Sequence, residues 1–237
     1  LPGVEVSYRD RESARWSVAG MTRSKVRLVS RRDGGPAYGG TPSDASVLQA
    51  IADLKARGLK VCLYPFVMMD VPEDNGLADP YGKPQQDAYG WRGNISCHPA
   101  AGRPGSVDRT ATARTQISDF CNRADGYRRM VLHYAALAAQ AGGVDAFLIG
   151  SELRGLTRVR DEANAFPFVE ELVRLAGDVR AIVGGSTRLT YAADWSEYFG
   201  YHPADGTGDV FFNLDALWAS PNIDAVGIDN YMPLSDW

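Results

Sequence analysis

Four apolar runs in this chain end on a carboxylate. "YPFVMMD" ends at Asp70, "FLIGSE" at Glu152, and "LTYAADW" at Asp194 with Trp195 behind it; "VGIDNY" ends at Asp229, Asn230 and Tyr231. An Asp or Glu in that place either caps the next helix or stands in a polar cleft. Carboxylates gathered in one cleft can exchange protons with a ligand or accept hydrogen bonds from it. Gathering four of them requires a fold that brings successive strand ends to one face. A barrel of parallel strands does so, with its active site at the carboxyl end.

The spacing supplies the elements such a fold needs. "KVRLVS" (25–30) reads as a strand. "SDASVLQAIADLKARG" (43–58) reads as a helix capped by Ser43 or Asp44, with Val47, Leu48, Ile51 and Leu54 on one face and Gly58 as its stop. "LKVCLYPFVMMD" (59–70) is a buried strand. A Gly- and Pro-rich stretch, 71–108, has little periodicity and reads as a long loop insertion. A helix follows over 112–140, broken near "RADG" (123–126). Strands at 145–153, 188–195 and 223–231 alternate with helices at 166–184 and 215–218. The strand runs are apolar on both faces, and each crossover is long enough for parallel pairing. The expectation is an α/β fold of the (β/α)8 TIM-barrel type in one segment, 1–237. It would hold about strands 2 to 6, near 26–30, 61–67, 146–150, 188–193 and 225–229. As an incomplete barrel it would leave open edges at 26–30 and 225–229.

Composition narrows the function classes. The 237 residues are 45% hydrophobic and 23% charged, with a net charge of -4. An acidic balance with mixed signs argues against nucleic acid as a partner. No run approaches the roughly 18 apolar residues of a membrane span. No GxGxxG follows the first strand and no GxxxxGK[ST] occurs, so nothing points to a nucleotide cofactor. There are three cysteines: Cys62, Cys97 and Cys121. Cys62 reads as a small core residue. Cys97 and Cys121 lie in loop-like sequence, where a bridge between them can form. None shares metal-ligand spacing, so no metal is expected. His133, within "MVLHYAAL", reads as a core or interface histidine.

"FLIGSELRGL", "LTYAADWSEYFGYHPADGTGDVFFNLDALWASPNIDAVGIDNYMPLSDW" and "YGGTPSDASVLQAIADLKARGLKVCLYPFVMMDVP" resemble the glycoside-hydrolase-like TIM-barrel domain of gene transfer agent and phage-tail proteins. The resemblance implies a barrel within a much longer tail-tip or baseplate hub polypeptide. Implied partners are other tail and baseplate proteins, the rest of its own polypeptide and cell-envelope polysaccharide. It further implies kinship with retaining glycosidases, whose acid/base Glu ends strand 4 and whose nucleophile Glu ends strand 7. On that pattern Glu152 takes the acid/base position, and Tyr231 the position of an aromatic that tunes the nucleophile. Asp194 and Asp229 complete the catalytic candidates. Trp91 and Trp195 are candidates for stacking on sugar rings, and Ser151, Asn230 and Asp70 for binding sugar hydroxyls.

Two departures qualify this. Ser151 stands where such enzymes carry Asn, and Ser lacks the amide's second donor. The expected nucleophile strand would lie beyond Trp237, and retaining chemistry needs two carboxylates. Arg154, two residues past Glu152, could also pair with it and keep its proton off. Three functions follow: a hydrolase of envelope glycan, a glycan-binding cleft without turnover, or a structural barrel of the tail hub.

Overall fold

A computed structural model describes residues 31–32, 35–36, 44–69, 71–124 and 126–231. The expected first strand (26–30) and Asp70 lie outside the described residues. A short antiparallel pair, β1 (Arg31–Arg32) and β2 (Gly35–Pro36), precedes the main body. Next come α1 (Asp44–Ala56), β3 (Cys62–Leu63), α2 (Ala111–Asn122) and α3 (Tyr127–Gln140). They are followed by β4 (Ala146–Ser151), α4 (Arg154–Thr157), α5 (Pro167–Val183), β5 (Arg188–Asp194), α6 (Asp215–Trp218) and β6 (Gly227–Asp229).

Strands β3, β4, β5 and β6 form one parallel sheet in chain order. This is α/β architecture of a partial TIM-barrel type, as the alternation of apolar runs implies. The break at 123–126 divides α2 from α3 as expected. Strand β4 is buried along almost its whole length, and Phe147 and Ile149 are inaccessible to solvent. Helices α3 and α5 both pack on it. Leu172, Leu175, Ala176 and Val179 line the buried face of α5 at helical spacing. Phe120, Tyr127 and Phe168, one from each of α2, α3 and α5, meet with ring centroids 5.7–6.3 Å apart.

Polar contacts tie the helices at their ends. Lys55 in the last turn of α1 donates to the carbonyls of Gly142 at 2.9 Å and Gly143 at 3.0 Å, just past α3. It also donates to the carbonyl of Ala141, the C-cap of α3, at 3.3 Å. His133 of α3 hydrogen-bonds Asp44 of α1 at 2.9 Å. Its reading as an interface histidine therefore acquires a partner.

Three expectations are corrected. The strand foreseen over 61–67 is paired only at Cys62–Leu63. Pro65 has no N–H to give a ladder, so the pairing does not continue through it. Cys62 is exposed rather than a core residue; period-2 alternation puts buried Val61 on the opposite face. Cys97 and Cys121 are both buried and both free. Cys121 lies within α2, and burial pushes the Cys97 thiol up to about 12. Neither is a reactive thiolate at neutral pH.

The end of β4 is the tightest point of the sheet. A Cβ on Gly150 would fall 2.1 Å from the Tyr127 hydroxyl and 3.1 Å from the Tyr191 ring. Gly150→Ala should lower stability by about 2 kcal/mol through overpacking. Tyr127→Phe, which removes the clashing oxygen, should make the same Gly150→Ala change less costly. Urea unfolding of the two single variants and the double variant would show this as a positive coupling; strictly additive losses would contradict it.

Candidate functional site

The site grows from the path of the chain after Ile149. The Tyr127 hydroxyl donates to the Ile149 carbonyl at 2.7 Å, in the space that Gly150 leaves open. The Leu153 N–H donates to the Tyr191 hydroxyl at 2.7 Å. Between these clamps the β4–β5 register slips between Leu148 and Ser151. A slip of this kind re-aims side chains at a strand end. Glu152 then takes φ +50°, the left-handed region, with its N–H bonded to the Ala192 carbonyl at 2.8 Å. A non-glycine residue enters that region at an energetic cost and stays only where its surroundings fix it. The result is a carboxylate 5% exposed at the carboxyl end of the sheet.

The 71–108 stretch supplies its partners. Its segment 91–96 rests on α4 at Gly155, where a Cβ would meet the Ile95 carbonyl at 2.4 Å. Ser96 Oγ donates to the Gly155 carbonyl at 2.8 Å. The short 3-10 turn Arg92–Asn94 is thereby held over the end of β4. Trp91 Nε1 donates to Glu152 Oε2 at 2.7 Å, and an Arg92 guanidinium nitrogen sits 2.9 Å from the same oxygen. Arg92 also donates to Ser151 Oγ at 2.9 Å and to the Ser151 carbonyl at 3.2 Å. Its guanidinium lies over the Phe66 ring, 4.8 Å from the centroid.

Ser151 passes the network on to the next carboxylate. Its Oγ donates to Asp229 Oδ2 at 2.9 Å, and the Tyr64 hydroxyl donates to the same oxygen at 2.5 Å while also touching Ser151 Oγ. Burial, with the Asp229 carboxylate as a further cause, raises the Tyr64 phenol well above its ordinary range. Tyr64 is therefore a standing donor. Glu152 and Asp229 thus belong to one hydrogen-bonded cluster with Trp91, Arg92, Ser151 and Tyr64.

The other candidates stand elsewhere. Asp194 is in register with Asp229 across β5 and β6. Its carboxylate caps the turn Trp195–Glu197, accepting from the Ser196 N–H at 3.0 Å and from the Ser196 hydroxyl. Trp195 is 39% exposed and Tyr231 73%, and Asn230 is exposed as well. Arg154 does not reach Glu152; it donates to Ser196 Oγ at 2.7 Å and lies 3.8 Å from Asp194. Two cavities of about 300 and 310 Å3 share Trp91 in their walls. Trp91, Tyr81, Asn94 and Ser96 line both, while Trp91 and Arg92 stand on Glu152.

Arg92 and Tyr64 are the members that sequence reasoning missed. A tyrosine inside an otherwise apolar strand was the signal for Tyr64, since a buried phenol needs a partner. Arg92 carried no periodic signal, because its role depends on how a long loop folds back. Among the described residues no group of His, Cys, Asp and Glu is placed to hold a metal ion. No described helix is long and apolar enough to cross a membrane.

Chemically, Glu152 Oε2 accepts a hydrogen bond from Trp91 and is ion-paired with Arg92. An acid that protonates a leaving oxygen must instead present a proton outward to the ligand. As placed, this oxygen is an acceptor inside the protein. The faces presented outward are those of Trp91 and the two cavities.

Residues 125–237 match the family model of the GTA TIM-barrel-like domain. A comparison with curated proteins finds no match. Among solved structures, a GH113 β-1,4-mannanase complex is similar at 19% identity and TM-score 0.48, over 84% of this chain and 46% of that one. A GH113 β-mannanase from Alicyclobacillus acidocaldarius in complex with ManMIm is similar at 19% identity and TM-score 0.45, over 84% and 45%. The chain spans about half the length of these structures.

Removing Arg92 would leave a buried carboxylate without its cation. Arg92→Gln should cost about 3 kcal/mol of stability. Adding Glu152→Gln should restore part of it, because a neutral amide tolerates the missing partner. Chemical denaturation of the three variants tests this. Equal stability of Arg92→Gln and wild type would contradict the pairing.

Proposed function

We propose that this chain is a glycan-engaging barrel segment of a gene-transfer-agent or phage tail protein, and that on its own it holds envelope glycan without cleaving it. The observation that carries the reading is the double engagement of Glu152 Oε2 by Trp91 Nε1 at 2.7 Å and Arg92 at 2.9 Å. Retaining cleavage needs one carboxylic acid to protonate the leaving oxygen and one carboxylate to trap the sugar. Glu152 is the acid/base candidate, yet its Oε2 is held by Trp91 and Arg92. Asp229 is the nearest carboxylate in the cluster, and Tyr64 and Ser151 occupy one of its oxygens. Asp194 is committed to its cap.

Binding asks for less. The exposed face of Trp91, in the walls of two cavities, suits the apolar face of a pyranose, and the polar groups around it suit sugar hydroxyls. Trp195, Tyr231 and Asn230 extend an exposed surface along the same end of the sheet. Ser151 holds Arg92 and Asp229 in place and acts on a ligand through them. In the particle the segment would sit at the tail tip or baseplate hub, against other tail proteins and the rest of its polypeptide, where envelope polysaccharide is first met.

A second reading, an active retaining hydrolase with Glu152 as acid/base, is favoured by one feature. A buried carboxylate with left-handed backbone at a strand end is the strained placement that functional residues often show. In that reading Arg92 would have to withdraw when glycan binds.

The purified 237-residue chain should turn over neither peptidoglycan nor aryl glycosides. Trp91→Ala should weaken glycan binding about three- to tenfold, as loss of one stacking face implies. Turnover that disappears on Glu152→Gln would overturn the binding reading in favour of the hydrolase.

A further inference from the structure

The 310 Å3 cavity on the α4 side of Trp91 has a charge pattern that glycan engagement alone does not require. Three arginines line it: Arg154, Arg158 and Arg160. Arg160 is neutralised in place, bonded to Asp108 at 2.8 Å and Asp205 at 3.1 Å. Arg154 opens the short helix α4 and Arg158 is its C-cap, four residues on. Arg154 reaches the Ser196 hydroxyl, with Asp194 no closer than 3.8 Å. Arg158 donates to the Ser196 carbonyl at 3.2 Å and lies over the Tyr201 ring, 5.6 Å from its centroid. Among the described residues Arg158 has no ion-pair partner.

Nearby carboxylates act on Arg158 only through space. Glu197 and Asp194 favour its charge from a distance. Glu197 itself is occupied, accepting from Thr157 Oγ1 at 2.5 Å and from the Asp194 N–H at 3.1 Å. Burial first, and then the neighbouring Arg154, push the Arg158 guanidinium below its usual value. Two like charges on one cavity wall, one of them partly desolvated and unpaired, cost folding energy that a bound anion would relieve.

We infer that the Arg154–Arg158 cavity is an anion subsite, and that the glycan this chain engages is acidic, carrying a carboxylate or phosphate on the sugar beside the one stacked on Trp91. The inference rests on the glycan-engaging reading and adds the substrate class. Guanidinium groups are the side chains best matched to carboxylate and phosphate oxygens. Trp91 forms a wall of the same cavity, and Arg154 lies 6.0 Å from the centroid of its ring. A sugar ring on the indole and its acidic substituent on the arginines would therefore occupy adjoining places.

The test is calorimetric titration of the purified chain at about 0.15 M salt, where long-range attraction is screened. The probes are a β-1,4-mannuronate oligomer, the matched neutral β-1,4-mannose oligomer, which differs only at C6, and inorganic phosphate. The acidic oligomer should bind about tenfold tighter than the neutral one. Arg158→Gln should abolish that preference and leave neutral binding unchanged, while Arg158→Lys keeps part of it. Arg154→Gln, at a more exposed position, should act in the same direction and guards against misfolding of the first variant. Equal affinity for the two oligomers, unaffected by either arginine change, would overturn the acidic subsite while glycan engagement stands. Binding of neither oligomer would overturn both. Phosphate bound as tightly as the acidic oligomer would mark a bare oxyanion site and overturn the sugar assignment.

Discussion

Everything at the candidate site depends on one close approach. The Tyr127 hydroxyl enters space that any side chain at residue 150 would occupy, and from there it holds the Ile149 carbonyl. Tyr191 holds the Leu153 N–H on the far side. Both phenols are fully buried, and burial raises both well above their ordinary range, so each keeps its proton. Between these fixed points the chain must slip register and turn through a left-handed residue. Glu152 is that residue, which is why an apolar strand ends on a buried carboxylate. The α3–β4–β5 core and the site are thus parts of one packing solution.

The second layer comes from the long stretch between β3 and α2. Gly155 lets its 91–96 segment lie directly on α4, and that contact puts Trp91 and Arg92 onto Glu152. Arg92 then joins three elements: its own loop, the end of β4 and, through Phe66, the segment following β3. In the proposed function the same arrangement keeps Glu152 Oε2 inside the protein and leaves the indole of Trp91 to the ligand. Stability of the strand end and presentation of a stacking surface are served by one pair of residues.

Much of this was legible in the sequence, and what was not has physical reasons. The alternation of apolar runs specified parallel strands in order, since period and crossover length leave few other solutions. "FLIGSEL" signalled a carboxylate at a strand end. The strand expected over 61–67 was shortened by Pro65, a local rule outweighed in that reading by the apolar run around it. Asp194 looked like its neighbours in sequence; the capping option open to any such carboxylate is the one it takes. Arg92 and Arg158 were invisible because each acquires meaning only from tertiary placement. Arg92 lies sixty residues from its partner, and Arg158 matters for the pairing it lacks among the described residues. Local patterns report periodicity and turn chemistry, and neither encodes which loop folds over which strand.

The central claim is that Trp91 and Arg92 keep Glu152 as an internal acceptor while glycan is held outside it. A crystal structure of the chain soaked with the β-1,4-mannuronate oligomer tests this most directly. The account predicts a sugar ring on the outer face of Trp91, with the Arg92–Glu152 contact still at about its present 2.9 Å. A glycosidic oxygen within hydrogen-bond reach of Glu152, with Arg92 displaced from the carboxylate, would contradict it.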